Sequence, residues 1–192
     1  MNEFDEKRYY ERDGSENKRV LKFFAILLIA GVVAWGISEW MKARHVPQLP
    51  GEVILKGRMS FEEVDGKVQE AGYVPLGKIY SDEKADYYSY ESSDVLGYVT
   101  QGSLLTMRKT YGSYISFDHY ISENSDQYNQ DNPGEVFNTI LKELTGQIGG
   151  APKKTKSPDS TESWYWQLDE KTFVGIQYCA DGMVMVRYIY YK

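Results

Sequence analysis

The chain has 192 residues, 22 Lys+Arg against 28 Asp+Glu for a net charge of −6, and a single cysteine. That length holds one domain or two small ones. The acidic balance argues against nucleic acid, which needs a concentrated positive face, and the lone Cys179 excludes an intrachain disulfide framework.

Residues 1–19, MNEFDEKRYYERDGSENKR, are nearly all polar and bury too little apolar surface to offset ordering, so they read as a disordered cytoplasmic tail. Phe4, Tyr9 and Tyr10 make that tail a candidate docking peptide. Residues 20–41, VLKFFAILLIAGVVAWGISEWM, read as a transmembrane signal anchor. The strictly apolar run, 23–37, reaches full length only if Lys22 and Glu39 sit at the two interfaces. A cleaved signal peptide and a buried soluble helix are the alternatives. Lys18, Arg19 and Lys22 on the N-terminal flank favour that end inside, giving a single-pass cell-membrane protein with an extracytoplasmic body. Ala30 and Ala34 have a small-xxx-small spacing. Without disulfides or an N-x-S/T sequon, a bacterial envelope is the expected setting.

Residues 42–58, with Pro47, Pro50 and Gly51, read as a linker, and the first α+β unit then spans 59–121. Ser60 and Glu63 form a capping-box pattern ahead of Phe61, Val64, Val68 and Ala71 at helical spacing, and Gly72 ends the helix. A linker is expected over 74–85. Strands are expected at 87–91, 95–100, 103–110 and 113–121, with a turn at Gln101-Gly102. The second unit spans 122–192. A polar loop leads to a helix capped by Asn132 with Pro133 at its first position, an apolar face of Val136, Ile140, Leu144 and Ile148, and a stop at Gly149-Gly150. A loop is expected at 152–163, then strands at 164–168, 172–180 and 183–191. Asp181-Gly182 suggests a two-residue type I′ hairpin between the last two.

The halves repeat one pattern: Phe61 falls on Phe137, Val64 on Ile140 and Val68 on Leu144. A spacing of 77 then sets Tyr87 and Tyr88 on Trp164 and Tyr165, and one of 78 sets Met107 on Met185. The expected fold class is therefore α+β: an N-terminal transmembrane helix followed by two tandem helix-plus-antiparallel-meander subdomains. In layout, residues 60–192 resemble the β-lactamase inhibitory protein type of architecture. That resemblance implies a protein-binding surface and no chemistry. The family's extra helix and disulfides have no counterpart here.

No motif names a reaction. Asp118 and His119, with Glu123 and Asp126, could suggest an acid–base pair or metal site, but neighbours in a strand point to opposite faces. The loop 126–135 lacks the calcium-loop spacing, and neither histidine is placed to activate Cys179. No catalytic residue, cofactor or metal is expected. Trp164, Trp166, Tyr178, Tyr188 and Tyr190 alternate along the last strands and are the candidate partner-binding residues. The expected function is a membrane-anchored binding or scaffold protein for a protein or peptide partner in the envelope. A membrane-held inhibitor or immunity-type protein is the alternative, and an envelope enzyme comes last.

Overall fold

A computed structural model describes residues 21–36, 48–110, 112–123, 134–156, 162–179 and 181–192. The tail with Phe4, Tyr9 and Tyr10, and the loop with Asp126, Asn132 and Pro133, lie outside them. The chain divides into two units at residue 44.

In the first unit the described residues 21–36 are helical, α1, and exposed throughout. No helix among the described residues is long and apolar enough to cross a membrane. This corrects the expected transmembrane anchor at 20–41 and the single-pass architecture built on it. The physical reason lies in the segment itself: its apolar run is short, and the added length depended on Lys22 and Glu39.

The second unit is built on antiparallel strands β1 (Pro75–Ser81), β2 (Ala85–Tyr90), β3 (Asp94–Val95), β4 (Tyr98–Arg108), β5 (Tyr114–Ser122), β6 (Lys153–Lys156), β7 (Glu162–Gln167), β8 (Thr172–Tyr178) and β9 (Met183–Tyr191). Their order is β1-β2-β4-β5-β9-β8-β7-β6, with β3 on β4. β5 and β9 pair in continuous register from Tyr114–Tyr191 to Ser122–Met183. The expected two subdomains are therefore one sheet.

Helices α2 (Phe61–Glu70) and α3 (Glu135–Ile148) pack on one face of this sheet through Val64, Val68, Phe137, Ile140 and Leu144. The capping box at α2 forms: Glu63 N–H donates to Ser60 Oγ (3.3 Å) and Ser60 N–H to Glu63 Oε2 (2.8 Å). α3 is capped from a distance. Gly134, its N-cap, has no side chain, and the Glu123 carboxylate accepts from the N–H groups of Val136 (3.2 Å) and Phe137 (3.0 Å). A carboxylate there satisfies two orphan donors and faces the positive helix end. Gly149 ends α3 in the left-handed conformation, φ 78°.

The segment 48–55, expected as linker, is part of the core. Leu49, Val53 and Leu55 are buried against the same sheet face. Tyr188 Oη donates to Pro50 O and Tyr190 Oη to Val53 O, both at 2.6 Å. Buried hydroxyls thereby tie an irregular strand of chain to the sheet and satisfy its carbonyls.

Three further corrections have local causes. β1 and β6, expected as linker and loop, are edge strands exposed along both faces, so they carry no hydrophobic alternation to reveal them. Gln101-Gly102 is no turn: the register slips between Thr100 and Gly102, and Gly102 takes φ 146°, a bulge that lets β4 run through. The Asp181-Gly182 turn is longer than two residues, since Cys179 N–H donates to Met183 O and Gly182 N–H to Cys179 O, and of Asp181 and Gly182 only Gly182 has positive φ. The two-residue pattern occurs instead at Leu96-Gly97, φ 58° and 77°, joining β3 to β4.

The internal repeat is visible in the strand order, which reads the same from both edges: α2-β1-β2-β4-β5 corresponds to α3-β6-β7-β8-β9. Strand register fixes the correspondence. Lys78 matches Lys154, Tyr88 matches Trp164 and Tyr90 matches Trp166, all 76 residues apart. Leu105 matches Ile176 at 71, and Asp118 matches Arg187 at 69. The expected spacings of 77 and 78 are corrected, because Met107 and Met185 lie in β4 and β9, which are not equivalent. Equivalent contacts follow: Phe61 stacks on Tyr88 (3.9 Å) and Phe137 meets Trp164 edge-on (4.9 Å). Lys78 and Lys154 lie over those same rings at 5.5 and 4.8 Å.

Candidate functional site

Alternation assigns every strand residue to one of two faces. The five aromatic residues expected to bind a partner all lie on the helix-covered face. Tyr188 and Tyr190 are fully buried, and Trp166 and Tyr178 nearly so. Trp166 Nε1 donates to Gly150 O at 2.8 Å. Trp164 is half-buried under Phe137 and Lys154. The sequence grouped them correctly on one side. Their company decides which side: Val174, Ile176, Val184 and Val186 share it, whereas Gln177 and Arg187 share the other.

Asp118 and His119 also point to opposite faces. His119 is sealed in the core, its Nε2 2.7 Å from Gly51 O and its Nδ1 2.8 Å from Ser103 Oγ. A carbonyl only accepts, so Nε2 carries the proton and Ser103 donates to Nδ1. Burial, opposed by the Gly51 bond, pushes this imidazole down to about 4. The sign follows from proton counts. Between about 6.5 and 4 the unfolded chain binds a proton that the folded chain does not, so the stability from neutral His119 is complete above 6.5 and is lost as pH falls. The gap amounts to about 3 kcal/mol. Urea unfolding of wild type and His119→Gln across pH 7 to 4 should show the stability difference shrinking by that amount. Parallel pH profiles would refute the assignment.

On the open face, Asp118 is 0% exposed and accepts a forked pair from Arg187: Nε to Oδ1 at 2.9 Å and Nη2 to Oδ2 at 2.6 Å. Burial raises the Asp118 carboxyl, against Arg187 and Ser116, which hold the ionised form. Burial is the largest single influence on the Arg187 guanidinium and pulls it down, but the bond to Asp118, its charge and the nearby Tyr120 and Tyr114 together raise it. The two residues are equivalent in the repeat and directly paired across β5 and β9. They sit at the centre of the sheet.

Beside them lies a recess of about 380 Å³. Gly175 is its floor, between Tyr165 and Arg187 in register, and Phe173, Gln177, Met185, Ile189 and Tyr191 stand around it. None of these residues stood out in the sequence except as the alternates of the buried set. The signal that could have found them is Gly175 within an otherwise β-branched and aromatic strand.

Cys179 lies just past the end of β8, where burial first and Asp181 next push its thiol up to about 11, away from the nucleophilic thiolate. Among the described residues no three His, Cys, Asp or Glu side chains group as metal ligands. Compared with protein-family models, curated proteins and solved structures, the chain matches none.

Proposed function

We propose that the body is a non-catalytic binding module that holds a protein or peptide partner on its open sheet face. The supporting observation is the content of that face. Tyr80, Tyr87, Tyr114, Tyr120, Tyr165 and Phe173 stand on it, opposite the face that the helices cover. Large rings bury much area at low entropic cost, which makes them the usual anchors of interfaces. The layout resemblance to inhibitory proteins points to the same kind of partner.

A photo-crosslinking amino acid at position 165, on the open face, should capture a defined partner in extracts of the source cells. The same probe at position 142, exposed on α3, should not. Equal capture from both positions, or none from 165, would remove the basis of the reading.

A further inference from the structure

The repeat supplies an internal control for the recess. Across the N-terminal half of the open face, the row beside the central pair reads Ser89, Leu104, Asp118. Across the C-terminal half the equivalent row reads Tyr165, Gly175, Arg187. A leucine fills the middle position on one side and a glycine empties it on the other. Glycine weakens a strand by its entropy and its missing side chain, so its presence calls for a cause. The backbone supplies none: Gly175 has no positive φ, and an added Cβ would meet Trp164 O at 3.4 Å and Tyr165 Cβ at 3.8 Å, which is ordinary contact. The position is therefore free to carry a side chain and leaves the space open instead.

Charge narrows what enters. Along the main strand path, the charged residues on the open face are Arg108, Lys153 and Arg187 against Asp118 alone. Asp118 is already covered by Arg187. A locally positive face on a chain of net charge −6 favours an acidic partner. The recess is lined mainly by rings and apolar chains, with Thr155, Ser163 and Gln177 among them, and Arg187 borders it.

We infer that the Gly175 recess is an anchor subsite for one aromatic side chain of a partner protein, carried on an acidic segment whose carboxylates face Arg108, Lys153 and the free edge of Arg187. The inference rests on the open-face reading above and adds the chemistry of its occupant. Aromatic insertion buries the exposed ring edges of Tyr165, Phe173 and Tyr191, and a guanidinium plane stacks on an aromatic face.

The test uses the full chain, isotope-labelled, with three peptides: acetyl-Glu-Glu-Trp-Glu-Glu-amide, its alanine-centred version and its lysine-flanked version. The acidic tryptophan peptide should shift the amide signals of Gly175, Arg187 and Ile189 and bind at least tenfold tighter than the other two. Gly175→Leu, which copies the residue of the other half, should weaken it at least tenfold while keeping dispersed amide signals. Gly175→Ala and Phe173→Ala, milder changes to floor and wall, should each weaken it severalfold and serve if the leucine variant does not fold. Equal binding by the wild type and these variants, a tighter alanine-centred or lysine-flanked peptide, or no shift at these amides would overturn the subsite. Open-face shifts that Gly175→Leu leaves unchanged would overturn the recess alone, whereas failed crosslinking at position 165 would overturn the binding face itself.

Discussion

Trp166→Ala should destabilise the body by about 3–5 kcal/mol, the range for deleting a large buried ring. The indole is 4% exposed and lies in the core that α3 closes. Its loss leaves a cavity that a β-sheet cannot collapse to fill, and it removes the bond to Gly150 O just past the end of α3. Tyr165→Ala, one residue away, removes a ring from the opposite face, where water already reaches, and should cost about 1 kcal/mol or less. The pair of variants thus separates two roles in adjacent residues. Chemical denaturation should give a large fall in midpoint for Trp166→Ala and a small one for Tyr165→Ala. Comparable falls would mean that the faces are assigned the wrong way round.

That contrast shows how much of the fold could be read in the residues. The capping box at Ser60 and Glu63, the apolar faces of α2 and α3 and the aromatic strands are local patterns, and local physics forms them. What was illegible depends on distant partners. β1 and β6 become strands only because β2 and β7 offer them an edge. Leu49, Val53 and Leu55 look like linker residues until Tyr188 and Tyr190 reach across more than 130 positions to bond Pro50 and Val53. Glu123 caps a helix that begins twelve residues later. The burial of the aromatic set was illegible for a related reason. Alternation tells which residues share a side, whereas burial depends on where the helices land. Tryptophan and tyrosine suit both cores and interfaces.

Asp118 and Arg187 carry the other large expectation, because they join the two halves at the centre of the sheet. Removing one partner of a buried pair strands the other charge, at a cost of about 3–5 kcal/mol. Arg187→Met should fall near the lower end, since the arginine side chain is 37% exposed and some water can follow it in. Asp118 is sealed and bears most of the penalty. The double variant Asp118→Leu with Arg187→Met should recover most of the loss, as apolar replacements of buried pairs commonly do. The pH dependence gives a second, independent reading. Without Arg187, burial acts on Asp118 with only Ser116 opposing it, so its folded-state pKa rises further above the unfolded value. A raised carboxyl contributes stability below the unfolded pKa and loses it as pH climbs through the folded one. Relative to the wild type, Arg187→Met should therefore regain stability on acidification, while the double variant, which lacks the carboxyl, should not. A single variant as stable as wild type at neutral pH, or a deficit that does not shrink on acidification, would show that the ion pair contributes little to the join between the halves.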